Sequence, residues 1–212
     1  MILSCSNPVG SDIGSDPGFQ EEYYVVNSDT FTVYRSPDII AVYLSSEAGL
    51  EELNQLVQSN NLQPLRPFTH EPYDVIMNHQ AHSHMPVILR LPNNTDRSQF
   101  YSFSKYLTGE CFAKNPLIAF SLPAYRMDMD NDHWFYPDNQ IIVKPEEAGF
   151  SYSDLESSFN ITYVSKNELI NTYRFDDNAF TNGSPYELSN AIFYSGTYQY
   201  VVPNGYSHIS RW

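Results

Sequence analysis

One order of elements occurs twice in this chain, and that repetition limits what it can fold into more than any other feature. The first pass begins with the β-branched and aromatic run 38–44, DIIAVYL, read as a buried strand. Segment 48–60 then places Leu50, Leu53 and Val57 at helical spacing, with polar residues opposite. A short extended piece, 62–68, precedes a strand at 87–91, VILRL. Ser98 is an N-cap for a helix over 98–109 carrying Phe100, Phe103 and Leu107, and a strand at 117–122 stops at Pro123. The second pass runs strand 139–144, helix 151–159, strands 161–165 and 169–175, a helix started by Ser184-Pro185, and strand 197–202 stopped by Pro203. Local residues agree as well. Ile39-Ile40-Ala41-Val42 aligns with Gln140-Ile141-Ile142-Val143, and Leu89-Arg90-Leu91 with Tyr173-Arg174-Phe175.

Each pass is a split βαβ unit, so the expected class is α+β: two tandem ferredoxin-like (βαββαβ) domains, antiparallel sheets with helices on one face. The expected limits are a spacer over 1–29, a first domain over 30–127, a linker over 128–135, a second domain over 136–207 and a tail over 208–212. Helices on one face leave the other face open or docked. Alternation puts some of Tyr163, Tyr173, Tyr198 and Tyr200 on the open face of the second domain. Trp134 and Phe135, at the junction, are expected to be packed there.

Charge narrows the partners. The 212 residues carry 11 Lys+Arg against 25 Asp+Glu, a formal net charge of −14. The excess is spread along the chain, without a basic stripe, so nucleic acid is not an expected partner. No apolar run reaches the length of a membrane span. Two cysteines make no disulfide framework, and Cys111 reads as a small buried residue. Cys5 differs. Met-Ile-Leu-Ser-Cys resembles the end of a bacterial lipoprotein signal, and the Ser/Gly/Pro/Asp-rich residues 6–22 resemble the spacer behind a lipid anchor. The charged start and most of the apolar region of such a signal are missing, so Cys5 is either the lipidated residue of a truncated signal or an ordinary residue near the terminus. The first alternative makes the protein an exported one of the cell envelope.

Catalytic motifs are wanting. The cluster His79, His82 and His84 has spacings that could offer imidazoles to zinc or copper, but no acid or cysteine stands at a ligand spacing beside it, so a solvated loop is expected. Asp128-Met-Asp130-Asn-Asp132 opens like a calcium loop but has His133 where glycine and Asn139 where glutamate belong, which makes it a polar linker. There is no G-x-S-x-G, no Gly-rich phosphate loop and no H-E-x-x-H. No catalysis, metal or cofactor is therefore expected.

The second repeat carries a resemblance. Asn139-Gln-Ile-Ile-Val143, the helical Glu187-Leu188-Ser189-Asn190-Ala191 and the closing Val201-Val202-Pro203-Asn204 resemble the N-terminal prodomain of secreted subtilisin-like serine proteases of Bacteroidetes type. The likeness covers about 75 residues, and the first repeat (roughly 30–126) shares it only in outline. It implies a ferredoxin-like module that helps a protease domain fold and then inhibits it. Its sheet would sit on the protease and its C-terminal extension in the active-site cleft. Carried onto this chain, the protease-contacting residues are Tyr198, Tyr200, Val202, Pro203, Asn204, Gly205 and Tyr206, with residues beyond Pro203 free to add a strand to the cleft. The alternative is a cell-surface binding or adhesion module with no protease partner.

Overall fold

The computed structural model describes residues 20–45, 49–65, 86–92, 117–128, 133–146, 150–178 and 184–209. The helix expected over 98–109, Cys5, Cys111 and the three clustered histidines lie outside them. The described elements are β1 (Gln20–Val26), β2 (Asp29–Leu44), α1 (Leu50–Ser59), β3 (Gln63–Pro64), β4 (Val87–Arg90), β5 (Ile118–Asp128), β6 (His133–Pro145), α2 (Ser153–Phe159), β7 (Ile161–Asn167), β8 (Thr172–Asp177), α3 (Pro185–Phe193) and β9 (Tyr198–Ile209).

Local chemistry sets the boundaries. Asn27 and Ser28 take positive φ (48° and 74°), so two residues suffice to turn β1 into β2. Leu53, Leu56 and Val57 form the buried stripe of α1. Asn160 ends α2 in the left-handed conformation. Ser184 caps α3 as expected: its Oγ accepts from Glu187 N at 3.1 Å, and Pro185 follows at the first turn.

The protein is α+β, with antiparallel strand pairing throughout the described residues. In the first half the spatial order is β5-β2-β4-β3; in the second it is β9-β6-β8-β7. Both read fourth–first–third–second, counting within each half. Pro123 stands opposite Ile40, and Pro203 opposite Ile141. Ile40 faces Leu89, and Ile141 faces Phe175, so Leu89 corresponds to Phe175. The sequence alignment of Leu89-Arg90-Leu91 with Tyr173-Arg174-Phe175 is thus two residues out of register. A shift of two keeps every side chain on its own face, and this is why the hydrophobic pattern did not expose it.

Several expected boundaries move. The described strands of the two halves share one nine-stranded sheet instead of forming two sheets joined by a linker. The polar stretch around 128–135 connects β5 and β6, which pair as Tyr125↔Phe135 and Arg126↔Trp134. Its aspartates read as a solvated linker, yet His133-Trp134-Phe135 alternates as a strand does. Residues 20–26, assigned to the spacer, form β1. It lies along β2 and meets β9 at Val26↔Tyr200. The ladders β1–β2–β5–β6–β9–β1 therefore close on themselves.

Two cores lie under the helices. Ile40, Val42, Leu53, Leu56, Val87 and Leu89 form the first. Ile141, Val143, Leu155, Phe175, Leu188, Ile192 and Val201 form the second. A third cluster joins the halves: Ile39, Ala41, Tyr43 and Ile88, on the opposite face of the first half, pack with Tyr136, Trp134 and Tyr206 from the far ends of β6 and β9. Trp134 is thus packed at the junction, as expected, while Phe135 packs in a fourth cluster with Val33, Tyr125 and Tyr186 of α3.

Candidate functional site

The distribution of covered faces singles out the second half. The first half has α1 on one face and the aromatic side chains of β6 and β9 on the other. The second half has α2 and α3 on one face; among the described residues, nothing covers its other face. That face holds a groove of about 840 Å³, floored by Ile142, Tyr200 and Val202 and flanked by Arg174, Val26 and the β7–β8 turn. Register explains the floor. Ile142 stands opposite Arg174 on one side and Val202 on the other, and Lys144 stands opposite Tyr200, so all five share the face. The Lys144 ammonium lies 5.9 Å from the Tyr200 ring centroid, within cation–π range. At the turn, Lys166 pairs with Glu168 at 2.7 Å and lies 5.5 Å from the Tyr173 ring. The next two residues are apolar and exposed: Leu169 is 96% and Ile170 52% accessible. The strand expected over 169–175 begins only at Thr172, because Leu169 and Ile170 belong to a turn that Asn171 completes at φ 51°.

The seven residues suggested by the resemblance separate. Tyr200 and Val202 lie on the open face, with Asn204 at its end. Tyr198 is buried on the helix side, as are the ring contacts of Tyr163 and Tyr173. Pro203 is buried against Ile141. Tyr206 packs in the junction cluster. Gly205 presses on the β6 backbone so closely that an added Cβ would meet the Tyr136 carbonyl oxygen and Pro137 Cα.

The free tail expected beyond Pro203 is not found. β9 runs on to Ile209, with Gly205↔Pro137, Tyr206↔Tyr136 and His208↔Trp134. Beyond Tyr200 its one partner among the described strands is β6, a situation that tolerates a residue with no N–H to give. Proline therefore did not stop this ladder. The strand pays for the crossing with a bulge in β6: Asp138, Asn139 and Gln140 oppose Asn204 alone. The bulge is a polar knot. Asp138 Oδ1 accepts from Gln140 N at 2.8 Å, and Asp138 Oδ2 from Asn204 Nδ2 at 2.7 Å. Gln140 Nε2 donates to Asp176 at 2.8 Å. Burial pushes the Asp138 carboxyl up to about 6, against the opposing pull of those hydrogen bonds and of Arg174.

A second buried polar cluster holds β1 in place. Glu22 faces Arg35 at 3.4 Å and accepts from Ser184 Oγ at 2.6 Å and from Tyr125 OH at 3.3 Å. Burial raises its pKa, and Ser184 and Arg35 oppose the rise. Both clusters tie elements together: Glu22 joins β1, β2, β5 and α3, and Asp138 joins β6 to β9.

No three His, Cys, Asp or Glu among the described residues converge as a metal site. No described helix is long and apolar enough to cross a membrane. Sequence reasoning missed Ile142, Arg174 and Ile170 as groove residues. For Ile142 and Arg174 the signal was present in alternation carried across the ladder from Val202, but it needed the register; Ile170 stands in the β7–β8 turn, outside any ladder. Comparison with protein-family models, curated proteins and solved structures finds no match.

Proposed function

We propose that the protein is a non-catalytic protein-binding module and that the open sheet face of its second half is where the partner docks. The observation that carries this reading is the asymmetry between two equivalent faces: one is filled from within the molecule, the other is left as a groove with exposed apolar residues at its rim. Exposed apolar groups gathered at a concave surface are a recognition feature more often than a chance of composition. We read the two halves as fused ferredoxin-like units, on their shared fourth–first–third–second strand order and their helices on one face. On the resemblance of the second half, the partner is a subtilisin-like serine protease domain, exported with the protein or attached to it. The prodomain-like face would assist the folding of that domain and inhibit it.

The test uses the full chain and a Val202→Asp variant, titrated calorimetrically with a panel of subtilisin-like proteases whose active-site serine is sulfonylated. Binding that weakens at least tenfold in the variant, with an unchanged melting temperature, supports the reading. Equal binding by both chains refutes it. A second reading, an exported surface module with no protease partner, is favoured by residues 204–209 lying in the sheet instead of hanging free to enter a cleft. It gains if no protease in the panel binds. Lipidation of Cys5, part of either reading, would show as a mass increase lost in Cys5→Ala.

A further inference from the structure

The path of described strands ends in two edges, β3 and β7, which hold equivalent places in their halves. A strand edge invites pairing with another chain unless something blunts it. β3 is blunted by its length of two residues and by Pro64. β7 has seven residues and no proline, and its one partner among the described strands is β8.

The register gives the direction of the β7 backbone groups. Asn178 N donates to Asn160 O at 3.4 Å, so these two form a bonded pair, and alternation makes Thr162 and Asp176 the next one. The amides and carbonyls of Ile161 and Tyr163 therefore point away from β8. One of those groups is already engaged. Glu156, in the middle of α2, reaches the edge, and its Oε1 accepts from Tyr163 N at 2.7 Å. Tyr152, just before the same helix, stacks its ring on that of Tyr163 at 4.3 Å and 14°. Thus α2 supplies a carboxylate oxygen where a neighbouring strand would put a carbonyl.

The outward groups of Ile161 and Tyr163 are self-complementary. A second copy related by a two-fold axis through Thr162 sets each Ile161 opposite the other copy's Tyr163, and the two residues can exchange bonds in both directions. We infer that Glu156 is an edge guard: by holding the Tyr163 amide and setting a negative charge beside it, Glu156 keeps β7 from pairing with β7 of a second copy of this chain. The groove and its partner play no part in this. Two guarded amides, one in each copy, correspond to roughly 10–100-fold in association.

Sedimentation equilibrium of the full chain and its variants tests the guard, with amide exchange at Tyr163 as the local readout. Glu156→Ala is expected to dimerise at least tenfold more tightly than the native chain, and to stop at two copies because the pairing uses up the edge. The dimer should strengthen between 0.05 and 0.5 M salt, which screens the repulsion between chains of net charge −14. Exchange of the Tyr163 amide should quicken in dilute Glu156→Ala and slow again as the dimer forms. Glu156→Gln keeps an acceptor at the same reach and should stay close to the native chain. Adding Thr162→Lys to Glu156→Ala sets like charges opposite each other on the axis and should abolish the dimer. If Glu156→Ala fails to fold, Glu156→Asp, which keeps the charge but withdraws the acceptor, should show the same dimer. A folded variant lacking the acceptor that stays as monomeric as the native chain would overturn the inference. So would equal association by the Ala and Gln variants, growth beyond the dimer, or a dimer that survives Thr162→Lys.

Discussion

Replacing Arg35 with Met tests whether the Glu22 cluster holds β1 to the rest of the molecule. The two side chains are only 9% and 10% accessible, with 3.4 Å between charged atoms. Coulomb's law at an effective dielectric constant of ~20 gives about 5 kcal/mol for that separation, an upper figure because solvation offsets part of it. Breaking a buried pair from one side typically costs 3–5 kcal/mol, since the remaining charge is left in a poor solvent. For a chain of this size such a loss lowers the melting temperature by roughly 6–20 °C. The pH dependence gives a sharper check. Glu22 titrates above its ordinary value of 4.5 in the folded chain. Its stabilising proton is therefore fully effective below about 4.5 and is lost as the pH rises through the higher folded value. Removing Arg35 raises that value further, so the penalty should be small near pH 4.5 and grow toward pH 7.5. Denaturant midpoints at both pH values, for Arg35→Met, Glu22→Gln and the double variant, separate the pair from the other contacts of Arg35. A loss under about 1 kcal/mol at pH 7.5, or one independent of pH, would refute the assignment.

Asp138→Asn should remove a fall in stability, on the order of 2–3 kcal/mol, that the native chain undergoes as the pH rises from about 4 through the raised value of about 6; midpoints measured across that range check it. Leu53→Ala and Phe175→Ala, in different cores, should each cost roughly 2–5 kcal/mol and lower one shared calorimetric transition, whereas two separable transitions would mean that the halves unfold independently. Gly205→Ala should cost about 1–3 kcal/mol in urea unfolding, because the new Cβ meets backbone, which cannot swing aside as a side chain does. Deleting 204–212 should abolish the dispersed amide spectrum of the folded state, since it removes the β9 residues paired with Phe135, Tyr136 and Pro137.

The elements that the sequence revealed were those in which one physical signal acted alone. Helix α1 followed from the spacing of Leu50, Leu53 and Val57, and α3 from its Ser-Pro start. The repeat was legible because Ile40 and Val42 occupy the same register positions as Ile141 and Val143. Where two signals competed, composition misled. Gln20–Val26 follows a Ser/Gly/Pro/Asp stretch and begins with acids, so it read as spacer; its Tyr and Val residues pair with β2 nonetheless. Pro203 read as a terminator because it cannot donate, but the bulge and the single neighbouring strand remove the need to donate. Of the site, Tyr200 and Val202 were accessible from sequence, while Arg174 and Ile142 depended on a register that hydrophobicity alone leaves ambiguous by two residues.

The closed circuit of ladders also sets a timetable. β1 can pair with β2 as soon as both have left the ribosome, because two residues turn one into the other. The neighbour on its other side, β9, is the last of the described strands to be made. At translation rates of about 5–20 residues per second, the roughly 170 residues between them take on the order of 10–35 s to appear. Throughout that interval the Val26 end of β1, where β9 pairs with it, stays open to any other extended chain nearby. The exposed Glu21, at the start of a strand that continues through Glu22 into an aromatic and β-branched run, puts charge beside that waiting end and makes it a poor template for a neighbouring nascent chain.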